Sequence, residues 1–249
     1  MRAVHAEWSK LFSLPGIWLA FLIGVLGPAA FTALDCIAEK EDILAGISNR
    51  LPEVGYLGLG FGVQGVILLG VLAVSSEYAA ESSGAGHGQQ INTSLTAVSS
   101  RLQVLLAKAA AVSVVTLLMC IMAIAAIVPV TRLILGEFAP AMEWTRLAGA
   151  IGYWIFTALI AFSFTVLTKN GMIPLTVLII NSSLVSFSVL LAKVTKLAYY
   201  LPDRAGIDMF MSMSDAYHTP LAGGLVMLAW AASLLAIAAI VFRRRDVGV

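Results

Sequence analysis

The chain has 249 residues, a hydrophobic share of 60%, a charged share of 12% and a net charge of +1. Its mean hydropathy is +0.94. A soluble domain carries about 25% charged residues, so this composition excludes an ordinary soluble fold, and the near-zero charge excludes a basic nucleic-acid binder. The length allows about six crossings of a bilayer at roughly 20 residues each.

In chain order, residues 1–15 (MRAVHAEWSKLFSLP) come first. Val4, Trp8, Leu11 and Phe12 recur at helical spacing, with Arg2, Glu7 and Lys10 at other positions. This predicts an amphipathic helix lying in the membrane interface, separated by Pro15 from the first long apolar stretch. Glu7 sits where a secretory signal needs basic residues, so this start does not read as a cleaved signal.

Six apolar stretches succeed it, at about 16–35, 56–76, 103–128, 147–168, 172–192 and 221–242. Uninterrupted apolar runs lack the alternation of barrel strands, so they read as transmembrane helices of one all-α domain covering 1–249. An even number puts both termini on one side. With the termini cytoplasmic, Arg2, Lys10, Arg101, Lys108, Lys169 and Arg243–Arg245 face the cytoplasm, against seven Lys/Arg outside. That bias is small; the run of three arginines after the last stretch carries the assignment.

Span two reads GLGFGVQGVILLG. Gly58 and Gly62, continued by Gly65, form a small-residue stripe that serves either helix packing within the subunit or a seam between subunits. Asn181, Ser182, Ser183, Ser186 and Ser188 make span five locally polar. They suit interhelical hydrogen bonds or, at Asn181, Ser182 and Ser186, the lining of a substrate path. Cys36 and Cys120 read as two apolar thiols without a disulfide.

Several chemistries lack their residues. No P-loop pattern and no H-E-x-x-H occurs, and no metal site is expected. His5, His87 and His218 all fall outside the predicted spans, which reads as solvated or interfacial imidazole. No ionisable residue lies near a span centre, which disfavours an ion-coupled carrier. No catalytic residue is expected, so the chain is read as a non-enzyme.

The remaining large polar segment, 77–102, starts with Glu77-Tyr78 and runs into INTSLTAVSSRLQVLLAK at 91–108. Here the chain resembles the permease subunits of ABC-2 type exporters. In that family an acidic-aromatic pair ends the second span, and a pattern close to I-R-T-[ST]-L-x-A-x-P-x-R-x-x-x-L-x-A-K leads into the third. Ile91, Thr93, Ser94, Leu95, Ala97, Arg101, Leu105, Ala107 and Lys108 match it. Asn92 stands where a basic residue is common, and Ser99 or Ser100 where proline is common. The start AEWSKLFSLPGIW is similar to the family's interfacial helix.

The resemblance implies a bacterial plasma-membrane exporter of an amphipathic or lipid-like substrate, such as an antimicrobial peptide or drug. It implies a second permease copy or paralogue, and two separate ATPase subunits carrying ATP and Mg while this chain binds no cofactor. It also implies short re-entrant helices in 193–220 before the last span. A polar helix at 88–100 could seat in a groove on the ATPase, with Leu95 and Val98 as its apolar stripe. The expected coupling interface is Glu77, Tyr78, Asn92, Leu95, Val98 and Arg101. A non-transporting sensor or scaffold subunit and, further off, a secondary transporter are the alternatives.

Overall fold

The computed structural model describes residues 8, 10–78, 101–182, 186–212 and 216–244. Among them there is helix and no strand. The long helices are α1 (Pro15–Leu44), α2 (Tyr56–Tyr78), α3 (Arg101–Leu135), α4 (Trp144–Thr168) and α8 (Pro220–Arg244). Each is long and apolar enough to cross a membrane, so the chain has the make-up of a multi-pass membrane protein. Three short helices lie between α4 and α8: α5 (Met172–Asn181), α6 (Phe187–Ala192) and α7 (Pro202–Ile207).

Residues 10–13 are helical, Leu14 is extended, and α1 begins at Pro15. Proline fits there because its missing N–H would be unpaired at a helix start anyway. Within α1, Leu22–Leu26 forms a π-helical turn. Pro28 accounts for it: with no N–H, and with a ring that crowds the carbonyl four residues back, it forces the backbone to widen.

α2 is the centre of the bundle and packs against α1, α3, α4 and α5. Small residues set how closely it approaches α1. A Cβ added at Gly65 would stand 2.6 Å from the Gly24 Cα and 2.5 Å from the Ala20 carbonyl oxygen. One added at Gly58 would stand 2.7 Å from the Pro28 carbonyl oxygen. Trp154 of α4 fills the space over Gly62, and its Nε1–H donates to the Leu59 carbonyl at 3.0 Å. Gly58, Gly62 and Gly65 thus meet helices of their own chain.

The core is continuous and includes Leu59, Ile67, Leu69, Met119, Ile127, Trp154, Phe162 and Met227, all fully buried. Large apolar side chains also stand exposed in rows: Trp18, Leu22 and Leu26 on α1, and Leu221, Leu225 and Leu228 on α8. Such rows suit hydrocarbon, not water. Cys36 and Cys120 are both buried and free.

One expectation needs correction. Residues 172–192 are not one helix: α5 stops at Asn181, and Ser186 is extended before α6 starts. Serines favour such breaks because their hydroxyls compete for backbone groups, and Ser186 caps α6 by accepting from the Val189 N–H at 3.2 Å. Part of 193–220 packs against the bundle. Ala198, Ala205 and Phe210 are buried, and Phe210 stacks on Tyr153 with centroids 5.6 Å apart. Tyr153 lies about 14 Å along α4 from its start, so this segment folds back deep beside the bundle.

Candidate functional site

Among the described residues, four polar clusters interrupt the apolar core. The first sits where α2 and α4 begin. Arg146 is buried, and its guanidinium serves three partners in different directions. It donates to the Phe210 carbonyl at 2.7 Å, the Pro52 carbonyl at 2.7 Å and Glu53 Oε2 at 2.6 Å. The Tyr56 ring lies beneath it, 3.7 Å from centroid to Cζ. Glu53 Oε1 in turn accepts from the Ser212 N–H at 3.1 Å, and the Tyr56 hydroxyl accepts from the Glu143 N–H at 2.8 Å. The planar fork of arginine is what allows one charge to tie three segments together.

The second cluster joins α6 to α7. Ser186 and Ser188 hydroxyls lie 2.9 Å apart, and Ser188 hydrogen-bonds Asp203 Oδ2. All three are buried, and Asp203 Oδ1 has no partner. The third cluster closes the loop before α8. Asp208 Oδ2 accepts from the His218 N–H at 3.0 Å and faces His218 Nδ1 at 3.1 Å. The His218 side chain is only 6% exposed, packed edge-on by Tyr200 and Tyr217. Of the two readings of His218, solvated or interfacial, this burial speaks against the solvated one; His5 and His87 lie outside the described residues.

The fourth cluster lies between α2 and the end of α5. Gln64 Nε2 donates to the Ser182 carbonyl at 3.2 Å and to Ser182 Oγ at 2.9 Å. Gln64 Oε1 is buried without a partner.

At the opposite end of the bundle from Arg146, Tyr78, Lys108, Phe162 and Phe242 line a cavity of about 20 Å³, room for one water. Lys108 is 6% exposed, and Val74, Val104, Leu105 and Val166 complete the wall around it. This is the end at which α2 stops and α3 starts.

The expected coupling residues divide accordingly. Tyr78 reaches the cavity; Glu77 and Arg101 lie on the last turn of α2 and the first of α3. Asn92, Leu95 and Val98, with the whole 88–100 helix, lie outside the described residues. Of the expected path residues, Ser182 binds Gln64 and Ser186 belongs to the Ser188–Asp203 cluster, so the two serve different polar groups. Asn181 is half-buried at the end of α5. Among the described residues no group of three or more His, Cys, Asp or Glu is placed to hold a metal.

Sequence reading passed over Gln64, Glu53, Arg146 and Asp203. Gln64 left a signal, as the lone amide in an apolar run. Arg146 and Asp203 left none, because each lies among loop residues in sequence and becomes buried only through contacts far along the chain.

Comparison with protein-family models, with curated proteins and with solved structures gives no match.

Proposed function

We propose that the chain is the membrane-spanning permease subunit of an ATP-driven exporter of the ABC-2 type. It moves an amphipathic or lipid-like substrate outward across a bacterial plasma membrane. Both termini are cytoplasmic, and α5 and α6 in tandem form the fifth of six crossings. Two ATPase subunits, holding ATP and Mg, act on this chain and on a second permease copy or paralogue.

The observation that carries this reading is the 91–108 pattern. Its second half, with Arg101, Leu105, Ala107 and Lys108, opens a helix of 35 residues. At 1.5 Å per residue that helix is about 52 Å long. It packs against α1, α2 and α4. A push applied at 88–100 would therefore enter a long helix that touches most of the bundle. The chain lacks a nucleotide-binding motif, so a partner must supply the hydrolysis.

Copurification from native membranes in mild detergent, with mass spectrometry of the bound proteins, tests the proposal. The expected result is a stoichiometric P-loop ATPase, lost when 88–100 is replaced by a Gly/Ser linker. A second six-span chain beside it makes the assembly a heterodimer. If no ATPase is retained with nucleotide present and the loop intact, the reading falls, and a sensor or scaffold subunit takes its place.

A further inference from the structure

The helix that follows α4 ends partway along the bundle. α5 starts directly after the tight turn that ends α4, and its 10 residues rise only about 15 Å, half of a roughly 30 Å hydrocarbon core. The position of Gln64 agrees independently. It lies about 12 Å from the start of α2 and about 21 Å from its end. An amide and a helix terminus therefore meet away from both ends of α2.

The orientation of the Gln64 amide is fixed by its partner. The Ser182 carbonyl can only accept, so Nε2 must face it, and Oε1 must point the other way. Oε1 is then a buried acceptor with no donor. Such a group costs free energy until a donor meets it. Beside it the C-terminus of α5 contributes roughly half a negative charge. Among the described residues, neither Gln64 nor Ser182 forms a hydrogen bond with a lysine or arginine. Everything this point offers is an electron pair, and a cationic donor fits it.

The exposed side chains along both helices near this point in sequence are apolar. Phe61 lies one turn before Gln64 on α2 and is 46% exposed, while Val177 and Ile180 on α5 are 49% and 55% exposed. An amphiphile that donates to Oε1 would find apolar surface of this kind for its tail.

We infer that Gln64, with Ser182 at the break between α5 and α6, recognises the protonated amine of a cationic amphiphile entering from the bilayer. As a statement about cargo this rests on the permease reading; as a binding site it does not.

The test uses the full chain in phosphatidylcholine nanodiscs, with dodecylamine as probe and dodecanol as its uncharged counterpart. Binding is measured above that of protein-free nanodiscs. Dodecylamine should bind saturably and dodecanol should not. Gln64→Leu should weaken the amine at least about tenfold, the loss of one hydrogen bond to a charged group, and Gln64→Met, which keeps the side-chain length and removes the acceptor, should weaken it by a similar factor. Should Gln64→Leu fail to fold, the ratio of Gln64→Met to wild type decides. Equal binding of amine and alcohol, or amine binding indifferent to both substitutions, overturns the inference. The assay needs neither ATP nor partner. Amine binding without a copurifying ATPase removes only the permease reading; an ATPase complex that binds no amine removes only this site.

Discussion

Replacing Arg146 with alanine tests how the segment ending at Ser212 is held against the bundle. The substitution removes three hydrogen bonds from a charged donor and leaves the Pro52 and Phe210 carbonyls without it. It also strands Glu53, whose side chain is only 13% exposed, with the Ser212 N–H still donating to its other oxygen. Both members of the ion pair are shielded from water, so solvent screening takes little from it. Removing one partner of a buried pair costs about 3–5 kcal/mol, roughly two to four orders of magnitude in the folded population. Glu53→Gln keeps the shape and an acceptor, so it should cost less, about 1–3 kcal/mol. Arg146→Lys should fall between the two, because an ammonium cannot reach three partners in fixed directions. The assay is reversible unfolding in mixed micelles with increasing SDS, run on each variant and on the Arg146–Glu53 double mutant. Roughly 1 M salt, with a Debye length of about 3 Å, should leave the coupling energy nearly unchanged. A loss below about 1 kcal/mol for Arg146→Ala, the range of an exposed pair, would refute the reasoning.

Other outcomes rest on the packing. Gly65→Ala should destabilise by about 1–3 kcal/mol, since its methyl meets backbone of α1, which cannot swing aside. Gly27→Ala, whose methyl would stand 3.4 Å from the Phe61 ring, should be neutral or stabilising in the same unfolding assay. Ser188→Ala should cost about 1–3 kcal/mol by leaving Asp203 Oδ2 without its hydroxyl donor, and Ser188→Ala with Asp203→Asn should recover part of it. Cys36 and Cys120 should resist maleimide in the folded protein and both react after SDS unfolding without reductant; fewer than two thiols on unfolding would mean a disulfide.

The sequence alone determined the class of solvent. A charged share of 12% and long apolar runs leave no choice but helices in lipid, and α1, α2, α3, α4 and α8 fall on five of the six stretches read from hydropathy. The position of Pro15 set where α1 begins, and the spacing of Gly58, Gly62 and Gly65 announced close helix contact. Hydropathy is a property of each residue's own transfer free energy, so it survives without knowledge of neighbours. The polar clusters are different. Ser182 and Ser186 read as parts of one locally polar span, but the helix ends at Asn181 and each serine takes a different partner. Arg146 and Glu53 are 93 positions apart, and Gln64 and Ser182 are 118 apart. Whether such a group is solvated, paired or left with an unmet acceptor depends on which distant segment arrives beside it, and only the tertiary structure decides that.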